Sequence, residues 1–144
     1  MRERRQGGWL GRLRRLRERL GRPSVPALEV DDPALAVVAG SFAVGEADSA
    51  ALARAGDWVP ERPAVLRHHL LLPAERVPEA ATLLAQDGWD LREVSHEAGR
   101  VRLHALRVQR LDALACARER ARMAGLAQRL GGDAEGWDAL QPPG

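Results

Sequence analysis

Four histidines, His68, His69, His96 and His104, and one cysteine, Cys116, are the side chains best suited to metal binding or nucleophilic chemistry in this chain. Two histidines and a carboxylate could hold a metal ion. All four histidines, however, fall in segments that alternate as strands do, where consecutive side chains point to opposite faces. His68 and His69 therefore cannot both reach one ion without distortion, and no metal site is expected. Cys116 lies on the apolar side of a long helix and reads as a small hydrophobe rather than a nucleophile. A single cysteine also excludes an internal disulfide and a cysteine-rich zinc site. The sequence has no phosphate-binding glycine loop, no GxSxG, no HExxH and no CxxC. The chain is expected to have no catalytic residues and no cofactor, and not to be an enzyme.

The elements that carry these residues can be read from spacing. Ala64–Leu72 is the clearest strand, with Leu66, His68, Leu70 and Leu72 on one face and Val65, Arg67, His69 and Leu71 on the other. Pro73 ends it. A helix over Val77–Gln86 tolerates Pro78 in its first turn and stops at Gly88. Trp89–His96 alternates as a second strand, Glu97–Arg100 is a hairpin turn, and Val101–Val108 returns as a third strand. Asp112 caps a long helix, Ala113–Leu130. Its broad apolar face is expected to comprise Leu114, Cys116, Ala117, Ala121, Met123, Ala124, Ala127 and Leu130, with Arg118, Arg122 and Arg129 opposite. The order β-α-β-β-α predicts an α+β fold, half or more of a ferredoxin-like sandwich with helices on one face of an antiparallel sheet.

The flanks are less regular. Asp32-Pro33 could open a short helix over Pro33–Ala39, or Leu35–Val44 could be extended; both stay open. Asp48 reads as the N-cap of a short helix, Ser49–Ala55, with Gly56 as its stop. At the other end, Gly131 and Gly132 close the long helix. A loop then carries Asp133, Glu135, Gly136 and Trp137, with the Trp137 ring folding back over the edge between helix and sheet.

Charge divides the chain. All 22 basic residues are arginine, and Lys, Ile, Asn and Tyr are absent, a bias that suits GC-rich coding and weakens any inference from arginine alone. Residues 1–22 hold nine Arg and two Glu, net +7, while the other 122 residues hold 13 Arg against 18 acids, net −5. The expected organisation is a basic arm and linker over residues 1–30, then one α+β domain over 31–144. Within the arm, Trp9, Leu13, Leu16 and Leu20 share one helical face. Trp9, Arg12, Arg15 and Arg19 are its candidate contacts to a protein partner or to RNA, although a merely solvated leader or a membrane-surface helix fits too. No apolar run is long enough to span a membrane and no signal peptide is evident, so the cytoplasm is the expected compartment. The β-α-β-β-α order also invites comparison with RNA-recognition modules. Those stack bases on sheet aromatics, and here the faces offer Arg67, His69, Arg102 and His104 with Trp89 alone as a large ring. Any RNA contact is therefore expected to be weak, non-specific and made through the arm.

From about Asp48 to Leu140 the sequence resembles the regulator of ribonuclease E activity B family. Leu52, Gly56, Asp57 and Pro63 precede the first strand as in that family. Val65–Pro73 is similar to its His-containing first strand, and Gly88 closes the next helix before an aromatic residue. Most distinctive are Leu126-Ala127, Gly131-Gly132, Asp133, Gly136-Trp137 and Asp138, with Ala134 and Glu135 where the family has tyrosine and aspartate. The resemblance implies a non-enzymatic regulator that binds ribonuclease E and alters which transcripts are cut. It also makes Gly131, Gly132, Asp133, Gly136 and Trp137 a family motif, structural or docking in role. An RNA-binding module acting through the arm is the alternative.

Overall fold

The computed structural model describes residues 28–143, and the arm residues Trp9, Arg12, Arg15 and Arg19 lie outside them. Five strands form one antiparallel sheet: β1 (Ala36–Ser41), β2 (Ala64–Pro73), β3 (Asp90–Glu97), β4 (Arg100–Gln109) and β5 (Asp133–Gln141). Their order across the sheet is β1-β5-β2-β4-β3, with every neighbour antiparallel. Among the described residues three helices accompany it: α1 (Asp48–Arg54), α2 (Val77–Gln86, entered through a 3₁₀ turn) and α3 (Ala113–Arg129). The fold is α+β.

The alternation of β2 builds two unequal layers. Leu66, Leu70 and Leu72 join Ala80 and Leu84 of α2, Ala51 and Leu52 of α1, and Cys116, Met123, Leu126 and Ala127 of α3 in the main core. All three helices thus cover one face of the sheet. On the other face Val65, Leu106 and Leu140 form a small cluster under Leu28, Val30 and Leu35. Among the described residues no helix lies over the rest of that face. Between β3 and β4 the chain turns on Ala98 and Gly99, both at positive φ, as a two-residue hairpin requires.

Four local expectations are corrected by the structure, and the choice left open over residues 33–44 is decided. The stretch after Gly132 is not a loop but β5, a strand between β1 and β2. Its sequence, DAEGWDALQ, carries three acids, a glycine and no β-branched residue, so its strand character comes from being paired on both sides. The Pro33–Ala39 helix does not form: the Asp32 carboxylate accepts from the Ala34 N–H and closes a turn, and the chain extends into β1. Asp48 is the first residue of α1 rather than its cap, because its carboxylate is drawn inward to another partner. Trp89 precedes β3 and is buried on the helix side beneath the Arg107 guanidinium, so it is not part of a sheet face. Finally, the buried side of α3 is narrower than its apolar residues suggested. Cys116, Met123, Leu126 and Ala127 occupy it, while Leu114 is 68% exposed and Ala117, Ala121 and Ala124 face outward. Alanine is too small to compete with Met and Leu for the sheet. Asp112 does cap α3, accepting from the Ala115 N–H at 2.7 Å.

Candidate functional site

The face of the sheet that no described helix covers gathers Arg67, His69, His104 and Asp138. In the register, Arg67 stands opposite Asp138 on one side, and His69 stands opposite His104 on the other. Arg67 donates to both Asp138 oxygens, Nε to Oδ1 at 2.8 Å and Nη2 to Oδ2 at 2.6 Å. His69 Nε2 lies 2.9 Å from the same Oδ1, and its ring meets His104 edge-on at 4.4 Å and Phe42 at 4.9 Å. Burial by itself would raise the Asp138 carboxyl, but the hydrogen bonds from Arg67 and His69 outweigh it and hold the group down at about 2. Arg67 is correspondingly raised by its bond to Asp138. His104 is pushed down to about 4, chiefly by burial and then by His69 and Arg67.

An aspartate bonded to a histidine is half of a general-base arrangement. Here the carboxylate is shared with Arg67, and the hydrogen bond that His69 makes among the described residues runs to Asp138 alone. Around this centre, charge is paired rather than accumulated. Arg102 bridges Glu97 and Glu135, Arg92 holds Asp31 at 2.7 Å, and Arg100 reaches Asp133 at 3.4 Å. Among the described residues this face lacks the unbalanced positive charge that tracks a nucleic-acid backbone. It is a partly buried, polar surface.

The other candidates are dispersed. His68 lies on the opposite side of β2, 2% exposed, its Nε2 without a hydrogen-bond partner and its ring edge-on to Trp89. Burial, then His69 and the two arginines Arg120 and Arg107, push it down to about 3, so it is neutral. His96 is on edge strand β3 with Glu93 3.1 Å away. Among the described residues no group of three His, Cys, Asp or Glu side chains could hold a metal ion. Cys116 is buried, and its thiol is pushed up to about 12 by burial and by Asp48 and Asp112, far from a reactive thiolate.

The residues of the Gly-Gly to Gly-Trp motif are brought together where α3 turns into β5. Gly131 adopts φ +78°, and Gly132 donates back to the Ala127 carbonyl at 2.8 Å. A Cβ on Gly132 would run into the Leu71 carbonyl oxygen and come within 2.7 Å of Leu72 Cδ2, because the chain passes directly over β2 there. Gly132→Ala is therefore expected to destabilise by about 1–3 kcal/mol, the range for overpacking, read as a lowered urea midpoint. Gly136 sits at φ +136° against Phe42 and the Ser41 carbonyl, beside the register shift in β5. Asp133 is exposed. The Trp137 ring is fully buried, and its indole N–H donates to Asp48 Oδ1 at 2.9 Å, a carboxylate that Arg120 also approaches at 3.3 Å. Arg120 donates in turn to the Ser41 and Glu46 carbonyls, tying α3 to the segment between β1 and α1.

Sequence reasoning missed the Asp48–Trp137–Arg120 and Arg67–Asp138 pairings. The partners are as much as 89 residues apart, and no periodicity links them. Missed as well was Gln141, whose buried amide exchanges hydrogen bonds with Val59 and pins the loop before β2 to the end of β5.

Among the described residues no helix is long and apolar enough to cross a membrane. No curated protein and no solved structure matches the chain. The family model described as regulator of ribonuclease activity B matches residues 49–139, from the first turn of α1 to near the end of β5, and so takes in both the uncovered sheet face and the Gly-Gly to Gly-Trp turn. The chain belongs to the regulator of ribonuclease activity B family.

Proposed function

We propose that this protein is a non-enzymatic, protein-binding regulator that modulates ribonuclease E-type RNA processing by binding the enzyme. The observation that carries this reading is the family match, which spans most of the chain. The site geometry supports it, because Asp138 is committed to Arg67 and His69 rather than poised to act on a substrate. The net −5 of residues 23–144 suits encounter with a basic segment of a partner, where opposite charge raises the association rate. Within this proposal the fold is a ferredoxin-like sandwich, β2-α2-β3-β4-α3-β5, extended by β1 at one edge. The basic arm and linker, 1–30, precede the domain, 31–144, with Leu28 and Val30 of the linker packed on its sheet, the cytoplasm is the compartment, and Gly131, Gly132, Gly136 and Trp137 serve structure rather than docking.

The test uses the full chain with purified ribonuclease E. Co-purification of the two, together with a changed pattern of transcript cleavage, is the expected result. If the enzyme is not captured and its cleavage pattern is unchanged, the proposal fails. Binding of RNA by the chain without the enzyme, falling steeply as salt rises, would favour action through Arg12, Arg15 and Arg19 of the arm.

A further inference from the structure

At one end, the sheet face that carries Arg67, His69, His104 and Asp138 is crossed by residues 28–35. This strap packs Leu28, Val30 and Leu35 on Val65, Leu106 and Leu140. Its Asp31 is held by Arg92 of β3, 2.7 Å away, so the strap reaches one edge strand before the chain enters β1 at the opposite edge. Beyond the strap, among the described residues, the face is open. Phe42 is half-exposed there, and the rings of Phe42, His69 and His104 form a row with neighbouring centroids 4.9 and 4.4 Å apart. Leu71, partly buried, lies on the same side of β2 as His69.

Charge on this face has a sign. Register and ion pairs place four arginines on it, Arg67, Arg92, Arg100 and Arg102. Against them stand Asp90, Glu97, Asp133, Glu135 and Asp138, joined by Glu29, Asp31 and Asp32 of the strap, eight acids in all. The chain that precedes Leu28 arrives on this side and is strongly basic, since residues 1–22 carry net +7. Its Trp9, Leu13, Leu16 and Leu20 share one helical side, and a helix over residues 9–20 would be about 18 Å long. From Arg67 to Pro73, β2 offers about 20 Å of open strand. Residues 21–27 span up to about 25 Å when extended. From Val65, under the strap, to His69 is about 13 Å along β2. The apolar stripe is therefore within reach of the aromatic row.

We infer that the chain's own arm occupies this face. Residues 9–20 dock on it as an amphipathic helix, with Trp9, Leu13, Leu16 and Leu20 over the Phe42–His69–His104 row and the flanking arginines against the surrounding acids. A short tether holds such a segment at an effective concentration in the mM range, so modest contacts are enough. The helix side of the molecule is a poorer seat for a basic segment, because α3 presents exposed Arg118, Arg122 and Arg129 there. A second copy would set the acid surplus of this face against its own like. Docked, the arm is a built-in competitor that a basic segment of a partner must displace from the acidic face.

The test places a nitroxide spin label in the arm of the full-length, isotope-labelled protein through Gln6→Cys. The native thiol of Cys116 is buried and does not compete for the reagent. Backbone amides of Phe42, His69 and His104 should lose most of their intensity, while those of residues 118–129 in α3 keep theirs. Adding Arg12→Glu, Arg15→Glu and Arg19→Glu should restore the lost signals, as should ~1 M salt, where the Debye length is about 3 Å. Trp9→Ala with Leu13→Ala should restore them too, because the stripe supplies the apolar contact. No loss at the sheet face, equal loss over the face and α3, or a loss that survives the three glutamates would overturn the inference. So would a loss that appears in full when spin-labelled chains without isotope are mixed with isotope-labelled chains without spin label, since the arm then reaches a second copy.

Discussion

Trp137→Ala should destabilise the protein by about 3–5 kcal/mol, the cost of a large-to-small change in a packed core. The ring is among the largest side chains with no exposed surface and belongs to the main core cluster. Two losses combine. Removing the indole leaves a cavity between α1, α3 and the sheet, and it strips Asp48 of the donor that faces it in a buried setting. Among the described residues Arg120 is then the cation that remains beside that carboxylate. A domain of this size has a net stability of roughly 5–15 kcal/mol, so the variant should sit near the edge of folding. Trp137→Phe separates the two causes, since it keeps most of the volume and loses the donor. Its expected cost is about 1–3 kcal/mol, the penalty for an unpaired buried polar group. Urea unfolding followed by far-UV circular dichroism measures both. A loss below about 1 kcal/mol for Trp137→Ala would show that the ring does not serve as a core residue.

The second large effect is acid lability that begins well above the carboxylate range. Unfolded, an imidazole titrates near 6.5, whereas folded His68 is held at about 3. Between those values the unfolded chain binds a proton that the native state refuses. The stabilisation is therefore complete above pH 6.5 and is lost as pH falls toward 3. Each pH unit costs ~1.4 kcal/mol per group, so His68 accounts for roughly 3 kcal/mol by pH 4. His104 acts in the same direction between 6.5 and about 4. Asp138 enters later: its stabilisation is present above the ordinary carboxylate value of 3.8 and is lost as pH drops toward 2. Urea midpoints at pH 7, 6, 5 and 4 should decline steadily. In His68→Leu, which suits the apolar surroundings, the slope between pH 6 and 4 should fall by about half, leaving the His104 contribution. An unchanged slope would mean that His68 is protonated in the folded protein.

Both effects arise at positions whose side-chain types were visible in the sequence and whose surroundings were not. Alternation in Ala64–Leu72 placed His68 and His69 on opposite faces, because side chains in any strand alternate. It could not say that His68 would be sealed under α3 while His69 met Asp138, since that depends on which elements pack on each side. The same limit explains β5. The Gly-Gly stop and the burial of Trp137 followed from local chemistry, yet the residues between them are acidic, glycine-containing and poor in β-branching. They become a strand because β1 and β2 supply hydrogen-bond partners on both edges.

By itself the sequence determined the α+β class, the β-α-β-β-α order from Ala64, the cap at Asp112, and the resemblance from Asp48 to Leu140 that led to the family. Each rests on interactions within one element or one turn, or on a pattern of residue types, and these need no knowledge of the rest of the chain. Tertiary structure alone decided that Arg67 neutralises Asp138, that Trp137 binds Asp48, and that Leu114, Ala117, Ala121 and Ala124 face outward. Those outcomes depend on contacts between distant segments and on competition among apolar side chains for a limited area of sheet. Helical periodicity shows which residues share a side, and packing then decides which side is buried.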